Sequence, residues 1–211
     1  MSATANDCEV HILGFLMDLH HAGLQRHLAT QKARRIERVR EMTRRLARVG
    51  VTIDAEEVLA LAKQGTVGRP HVAHILLKHG YITSLPEAFS KYIGPNNPGF
   101  VPGSPLVPKE VIKVIRDAGG IPVLAHPVYM KADEMIEQFV RDGLVGLEVY
   151  HSGHTPDVIQ HYKRLADRLQ LLPTGGSDFH GTPKEGLPVG AVKVPYALLE
   201  GLRQWKREHP A

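Results

Sequence analysis

The chain has 211 residues, 43% hydrophobic and 23% charged, proportions that exclude a disordered, collagen-like or membrane-embedded chain and suit one domain with a small appendage. A net charge of +4 with neutral histidine admits a polyanionic partner without requiring one, and the single cysteine, Cys8, excludes an intramolecular disulfide or a cysteine-based zinc cluster. Histidine is in surplus: its 13 residues outnumber Phe (5), Trp (1) and Tyr (6) combined, so any metal is to be sought among imidazoles and carboxylates. No apolar run approaches the roughly 18 residues of a membrane span, and MSATANDCEV lacks the basic-then-apolar plan of a signal peptide. The expectation is a soluble, cytoplasmic protein.

Residues 8–17, CEVHILGFLM, form an apolar run too short for a helix and read as a buried strand. From Leu24 to Val49 apolar residues (Leu28, Ile36, Val39, Met42, Leu46) recur mostly three or four apart among nine Lys/Arg, which predicts a basic amphipathic helix stopped at Gly50. Three shorter helices follow. Asp54 with Glu57 and Ser84 with Glu87 have capping-box spacing, and Pro70 opens VAHILLKH, closed by Gly80. The stretch from Gly94 to Pro108 holds five Pro and three Gly in 15 positions and reads as a loop.

Beyond it strands alternate with helices. Pro108 starts a helix ended by Gly119 and Gly120, then IPVLA is a strand. A helix near Asp133–Arg141 precedes the strand LEVY, and Thr155 caps a helix that opens at Pro156. LLPT and AVKV read as further strands, the last before a helix near Tyr196–Arg207. Such alternation predicts an α/β sheet or barrel with parallel pairing.

The chemistry falls at the strand ends. His126 follows IPVLA, His151 follows LEVY, and Asp178 with His180 follows LLPT after Gly175 and Gly176. The carboxyl ends of parallel strands share one face, where such folds hold their active sites. An isolated D-x-H reads more often as a turn aspartate and a surface histidine; here the strand-end position and the two glycines favour a hard oxygen and an imidazole aimed at one metal. His11, inside VHILG, reads on its own as a core histidine.

The set VHILG, GRPH, VLAHP, GLEVYHSGH and GGSDFHG resembles the polymerase and histidinol phosphatase (PHP) family, in its branch of bacterial phosphoesterases acting on nucleoside 3′,5′-bisphosphates and RNA 5′ ends. The resemblance runs from about Glu9 to Gly190. It implies an α/β fold, a distorted (β/α)7-type barrel over 1–23 and 95–211 with an all-helical insertion at 24–94. It implies up to three divalent ions, manganese first, with zinc, iron or magnesium as other candidates, and hydrolysis by a metal-bound hydroxide. By motif, His11, His126, Asp178 and His180 correspond to metal ligands. Arg69 and His71 correspond to the insertion's substrate-facing pair, and His154, in YHSGH, is expected either to contact substrate or to brace a metal ligand. An arginine at a helix start suits a nucleotide or short-RNA phosphate, because guanidinium and unpaired backbone N–H groups both favour anions.

The family pattern also begins with an H-x-H strand, an acidic residue, a further His and a Glu ahead of VHILG, none of which matches here. The expectation is therefore a chain incomplete at its N-terminus, lacking the first strands of its barrel and part of its metal cluster. The competing expectation is a nucleic-acid-binding module, or a nonfunctional fragment, built on the arginine-rich helix.

Overall fold

The computed structural model describes residues 1–6, 8–62, 65–103, 106–179 and 188–210. The chain divides into two compact units, one formed by Met1–Gln25 with Pro105–Ala211 and the other by Arg26–Ser104.

The first unit is built on a five-stranded sheet in the order β1 (Ser2–Ala5), β2 (Cys8–Phe15), β3 (Ile121–Leu124), β4 (Gly146–His151), β5 (Leu172–Gly176). β3, β4 and β5 pair in parallel, as the strand–helix alternation predicts. β1 and β2 form an antiparallel hairpin that turns at Asn6 (φ 47°), and β2 runs antiparallel to β3 with Ile12 opposite Leu124. Parallel pairing is imposed by single helical crossovers, and the connection from β2 to β3 is not one: it passes through the whole second unit. The apolar run at 8–17 is not buried on both faces either. Val10 and Ile12 are buried while Glu9 and Leu13 are exposed, the alternation of a half-covered strand.

Helices α5 (Pro108–Asp117), α6 (Ile136–Arg141) and α7 (Pro156–Leu169) connect these strands, and α8 (Tyr196–Glu208) closes the unit. Thr155 caps α7 by accepting from the Val158 N–H, and Gln170 ends it in the left-handed conformation. The core gathers Val111, Ile112 and Ile115 of α5, Ile136 and Phe139 of α6, and Leu165 and Ala166 of α7 against Ile12, Leu124, Leu147 and Val149 of the sheet. Gly146 is required where β3, β4 and β5 meet, since a Cβ there would stand 2.7 Å from Val123 Cγ2 and 3.0 Å from the Leu172 carbonyl oxygen. Residues Ala191–Val194 are not a strand. The segment lies between Gly190 (φ 87°) and Pro195, which has no N–H to offer a ladder, and most of it is exposed.

The second unit carries most of α1 (Ala22–Ala47), then α2 (Ala55–Leu61), α3 (Arg69–Lys78) and α4 (Leu85–Ala88), which continues as a π-helical turn over Phe89–Ile93. Val39, Met42 and Leu46, the buried stripe of α1, pack with Val58, Val72, Ile75, Leu76 and Ile93. Both capping boxes depart from expectation. Asp54 caps α2 through the Glu56 N–H, but Glu57 instead binds Lys78 and His79. Glu87 reaches back to Thr83, not Ser84, and also holds Lys91. Among the described residues no helix is long and apolar enough to cross a membrane.

Ile112 is fully buried between α5 and the sheet. Ile112→Ala is expected to lower stability by about 2–5 kcal/mol, read as a lower urea midpoint with an unchanged slope. A loss under about 1 kcal/mol would show that this helix does not carry the core as described.

Candidate active site

The carboxyl ends of β3, β4 and β5 bring together the side chains that the sequence singles out, with others it does not. On β2, His11 and Glu9 are two residues apart and therefore share a face. His11 Nε2 lies 3.0 Å from Glu9 Oε1, and His11 Nδ1 lies 2.9 Å from His126 Nε2. Proton placement follows from the acceptors: Nε2–H of His11 donates to the carboxylate, leaving its Nδ1 lone pair to accept from His126.

His126, just past β3, has φ 28° and ψ 58°, a conformation disfavoured for a residue with a Cβ. Its backbone N–H donates to Glu148 Oε2 at 2.8 Å, and its carbonyl accepts from Tyr129 N–H at 3.1 Å. Glu148 sits on β4 opposite Thr174 of β5 and is buried. Burial pushes its carboxyl up to about 7, the negative charge of Asp178 pushes the same way, and the His126 N–H pulls against both. Asp178 itself adopts φ 55°.

His151 and His154 are buried beside these groups, with ring centroids 5.5 Å between His126 and His151 and 5.3 Å between His151 and His154. Backbone groups fix their tautomers in opposite senses. Gly153 N–H donates to His151 Nδ1 at 3.0 Å, so His151 carries its proton on Nε2; His154 Nδ1–H donates to the Val149 carbonyl at 2.8 Å, so its Nε2 presents a lone pair. Both Nε2 atoms are buried without a hydrogen-bond partner among the described residues. Desolvation first, and neighbouring imidazoles next for His126 and His151, hold all three rings below the usual histidine range and hence neutral. The Tyr129 ring, largely exposed, stands 5.4 Å from His126 and 5.8 Å from His151.

The set fits a divalent cation in donor chemistry: neutral imidazoles and carboxylates are what manganese, zinc or iron accept. Two nitrogens bound to one ion with bonds of about 2.1 Å lie about 3.0–3.4 Å apart, close to the 2.9 Å between His11 and His126. The unpartnered Nε2 of His154, its other nitrogen donating to a carbonyl, has the arrangement of a ligand histidine held by its surroundings. Among the described residues no three His, Cys, Asp or Glu are already grouped to hold an ion. His180 lies outside the described residues.

Arg69 and His71 belong to the second unit. His71 Nδ1 accepts from the Gly68 N–H and closes the first turn of α3. The Arg69 guanidinium lies 5.9 Å from the ring centres of both Phe89 and Phe100, and has no ion pair among the described residues. Sequence reasoning missed Glu148, Tyr129 and the Glu9–His11 contact. Only Glu148 left a signal, a carboxylate in an otherwise apolar strand, which needs a buried partner.

A sheet whose strand ends converge on imidazole and carboxylate donors has the build of a metal-dependent hydrolase. No family model matches the chain. It is 30% identical over 205 residues to the 5′-3′ exoribonuclease Rnm of Escherichia coli (strain K12), covering 94% of this chain and 70% of that protein. It is also 30% identical over 187 residues to a 3′,5′-nucleoside bisphosphate phosphatase of Chromobacterium violaceum, covering 86% of this chain and 66% of that protein. A crystal structure from Bifidobacterium adolescentis, designated a candidate metal-dependent phosphoesterase, matches with a TM-score of 0.76 and 31% identity over 95% of this chain and 73% of that one. A second, an amidohydrolase from Chromobacterium violaceum with bound sulfate and no metal, matches with a TM-score of 0.73 and 27% identity over 96% and 74%. The chain belongs to the polymerase and histidinol phosphatase family, among its phosphoesterases.

Glu148 and the imidazoles load stability oppositely. A carboxyl raised from 4.5 to about 7 favours the folded state fully below pH 4.5, an advantage lost as pH rises through about 7. Histidines lowered from 6.5 favour it above 6.5 and lose that advantage as pH falls. With chelator present, the stability of the wild type relative to Glu148→Gln is expected to fall by about 2–3 kcal/mol between pH 4.5 and 8, measured by urea unfolding at each pH. A flat difference would place the carboxyl in water.

Proposed function

We propose that the first unit hydrolyses terminal phosphates or phosphodiesters of nucleotides, taking nucleoside 3′,5′-bisphosphates or short RNA 5′ ends in the cytoplasm, with manganese as the ion. The observation that carries this reading is the His11–His126 pair at 2.9 Å, which joins the middle of β2 to the residue just past β3, near Asp178. His11, His126 and Asp178 would hold the ion, with His180 as a fourth donor. A divalent ion bound there supplies Lewis-acid polarisation of a phosphoryl oxygen and lowers the pKa of a bound water.

The chain's own groups divide the remaining work. His151 turns an N–H toward the site and suits a phosphoryl oxygen, on which negative charge builds during the reaction. His154 offers a lone pair and can accept a hydrogen bond from a substrate hydroxyl. In the helical unit, Arg69 and His71 serve a substrate phosphate. Among the described residues aromatic rings and no carboxylate flank the Arg69 guanidinium, which leaves its charge for an anion. The parallel β3–β4–β5 ladder with polar groups past its strand ends supports the distorted barrel, with 24–94 as its helical insertion.

Phosphate release from a nucleoside 3′,5′-bisphosphate is expected to require manganese, to stop with chelator, and to fall at least about 100-fold in kcat/KM in His126→Ala and Asp178→Ala. Turnover that survives chelation, or both substitutions, would overturn the proposal.

A further inference from the structure

We infer that Glu148 is the positioning residue of this site: its buried carboxylate pins the backbone of His126 in the left-handed conformation from which the imidazole meets His11. The inference rests on reading His11 and His126 as metal donors.

His126 is doubly out of place. At φ 28° and ψ 58° it occupies a region that residues with a Cβ avoid, and it precedes Pro127, which favours extended backbone at the residue before it. Such a conformation persists only where its surroundings over-determine it. Three hydrogen bonds do so here. Ala125 N–H donates to the His11 carbonyl at 2.9 Å, Tyr129 N–H to the His126 carbonyl at 3.1 Å, and His126 N–H to Glu148 Oε2 at 2.8 Å. The first two are backbone bonds available to any sequence; the third is the one side-chain contribution.

The surroundings of Glu148 are shaped for that bond. Among the described residues it is the only buried Asp or Glu, flanked on β4 by buried Leu147 and Val149. A Cβ at position 176 would stand 3.2 Å from its Oε1, so glycine on β5 leaves the carboxylate its room. Burying a carboxylate inside a sheet is costly, and a strand needs none for its own ladder. The acceptor it gives His126 accounts for its presence.

The test compares the wild-type chain with Glu148→Gln, which keeps an acceptor oxygen at the same reach, and Glu148→Asp, which withdraws it by about 1.5 Å. The His126 amide resonance is followed in 15N-labelled protein, and manganese binding is titrated through the signal of the free ion in electron paramagnetic resonance. Thermal unfolding confirms that each variant is folded. Glu148→Asp should shift the His126 amide and weaken manganese binding about 10–100-fold, while Glu148→Gln stays within about threefold of wild type. Wild-type affinity in Glu148→Asp overturns the inference. Equal loss in both variants also overturns it, because the ion then senses the carboxylate's charge and not the clamp. A wild type that binds no manganese defeats the donor reading alone; an unmoved His126 amide in Glu148→Asp then defeats the clamp.

Discussion

The site depends on one constraint: polar side chains gather at the buried carboxyl ends of three parallel strands, where each must find a partner. The hydrogen bond from His126 N–H to Glu148 joins the end of β3 to the middle of β4. Around it the backbone distributes protons. Val149 and Gly153 set the tautomers of His154 and His151, and Glu9 sets that of His11. The tautomers of His151 and His154 are thus assigned before any ligand arrives, which leaves those two rings little to reorganise on binding.

The electrostatics of the site follow from the same burial. Desolvation disfavours every charge, raising the carboxyl of Glu148 and lowering His126, His151 and His154. The three imidazoles are thereby biased toward their neutral form, the condition in which imidazole nitrogens act as ligands or bases. A cation placed there would face lone pairs and partial negative charge instead of competing imidazolium groups.

The sequence announced those parts of the fold that have local causes. The Thr155 cap with Pro156, the Pro108 start and the three-and-four spacing of Val39, Met42 and Leu46 each act within a few residues, and the helices stand where those signals put them. His126, His151 and Asp178 were legible because strand ends in an α/β pattern share a face. What stayed hidden has non-local causes. The antiparallel placement of β2 depends on a connection through a second unit, and AVKV, mostly exposed between Gly190 and Pro195, is not a strand. Glu148 became a site residue only once β3 and β4 were known to be neighbours. The Glu57 and Glu87 boxes were misread because a carboxylate near a helix start also sees distant lysines and neighbouring threonines, and those partners won.

The arginine-rich helix, the basis of the nucleic-acid-module reading, shows how much of its charge the fold itself consumes. Arg40 pairs with Glu56, Arg44 with Glu37 and Glu41, and Arg45 with Glu41. Arg45 also donates to the Phe100 carbonyl, and Arg38 to that of Val101. These contacts tie α1 to the loop at 100–101 and to the start of α2, which is structural work. A helix built to read phosphates would instead hold such groups out to solvent, where release of counterions drives binding. Arg38 keeps its charge under pressure: burial lowers its pKa first, and the nearby charges of Arg69 and Arg35 lower it further. Arg35, Arg38 and Arg69 lie close enough for their charges to act on one another, a local cluster of positive charge beside the exposed Arg26, Lys32 and Arg34 of α1 and Arg48 just past it. Such a cluster suits a localised anion such as a phosphate group.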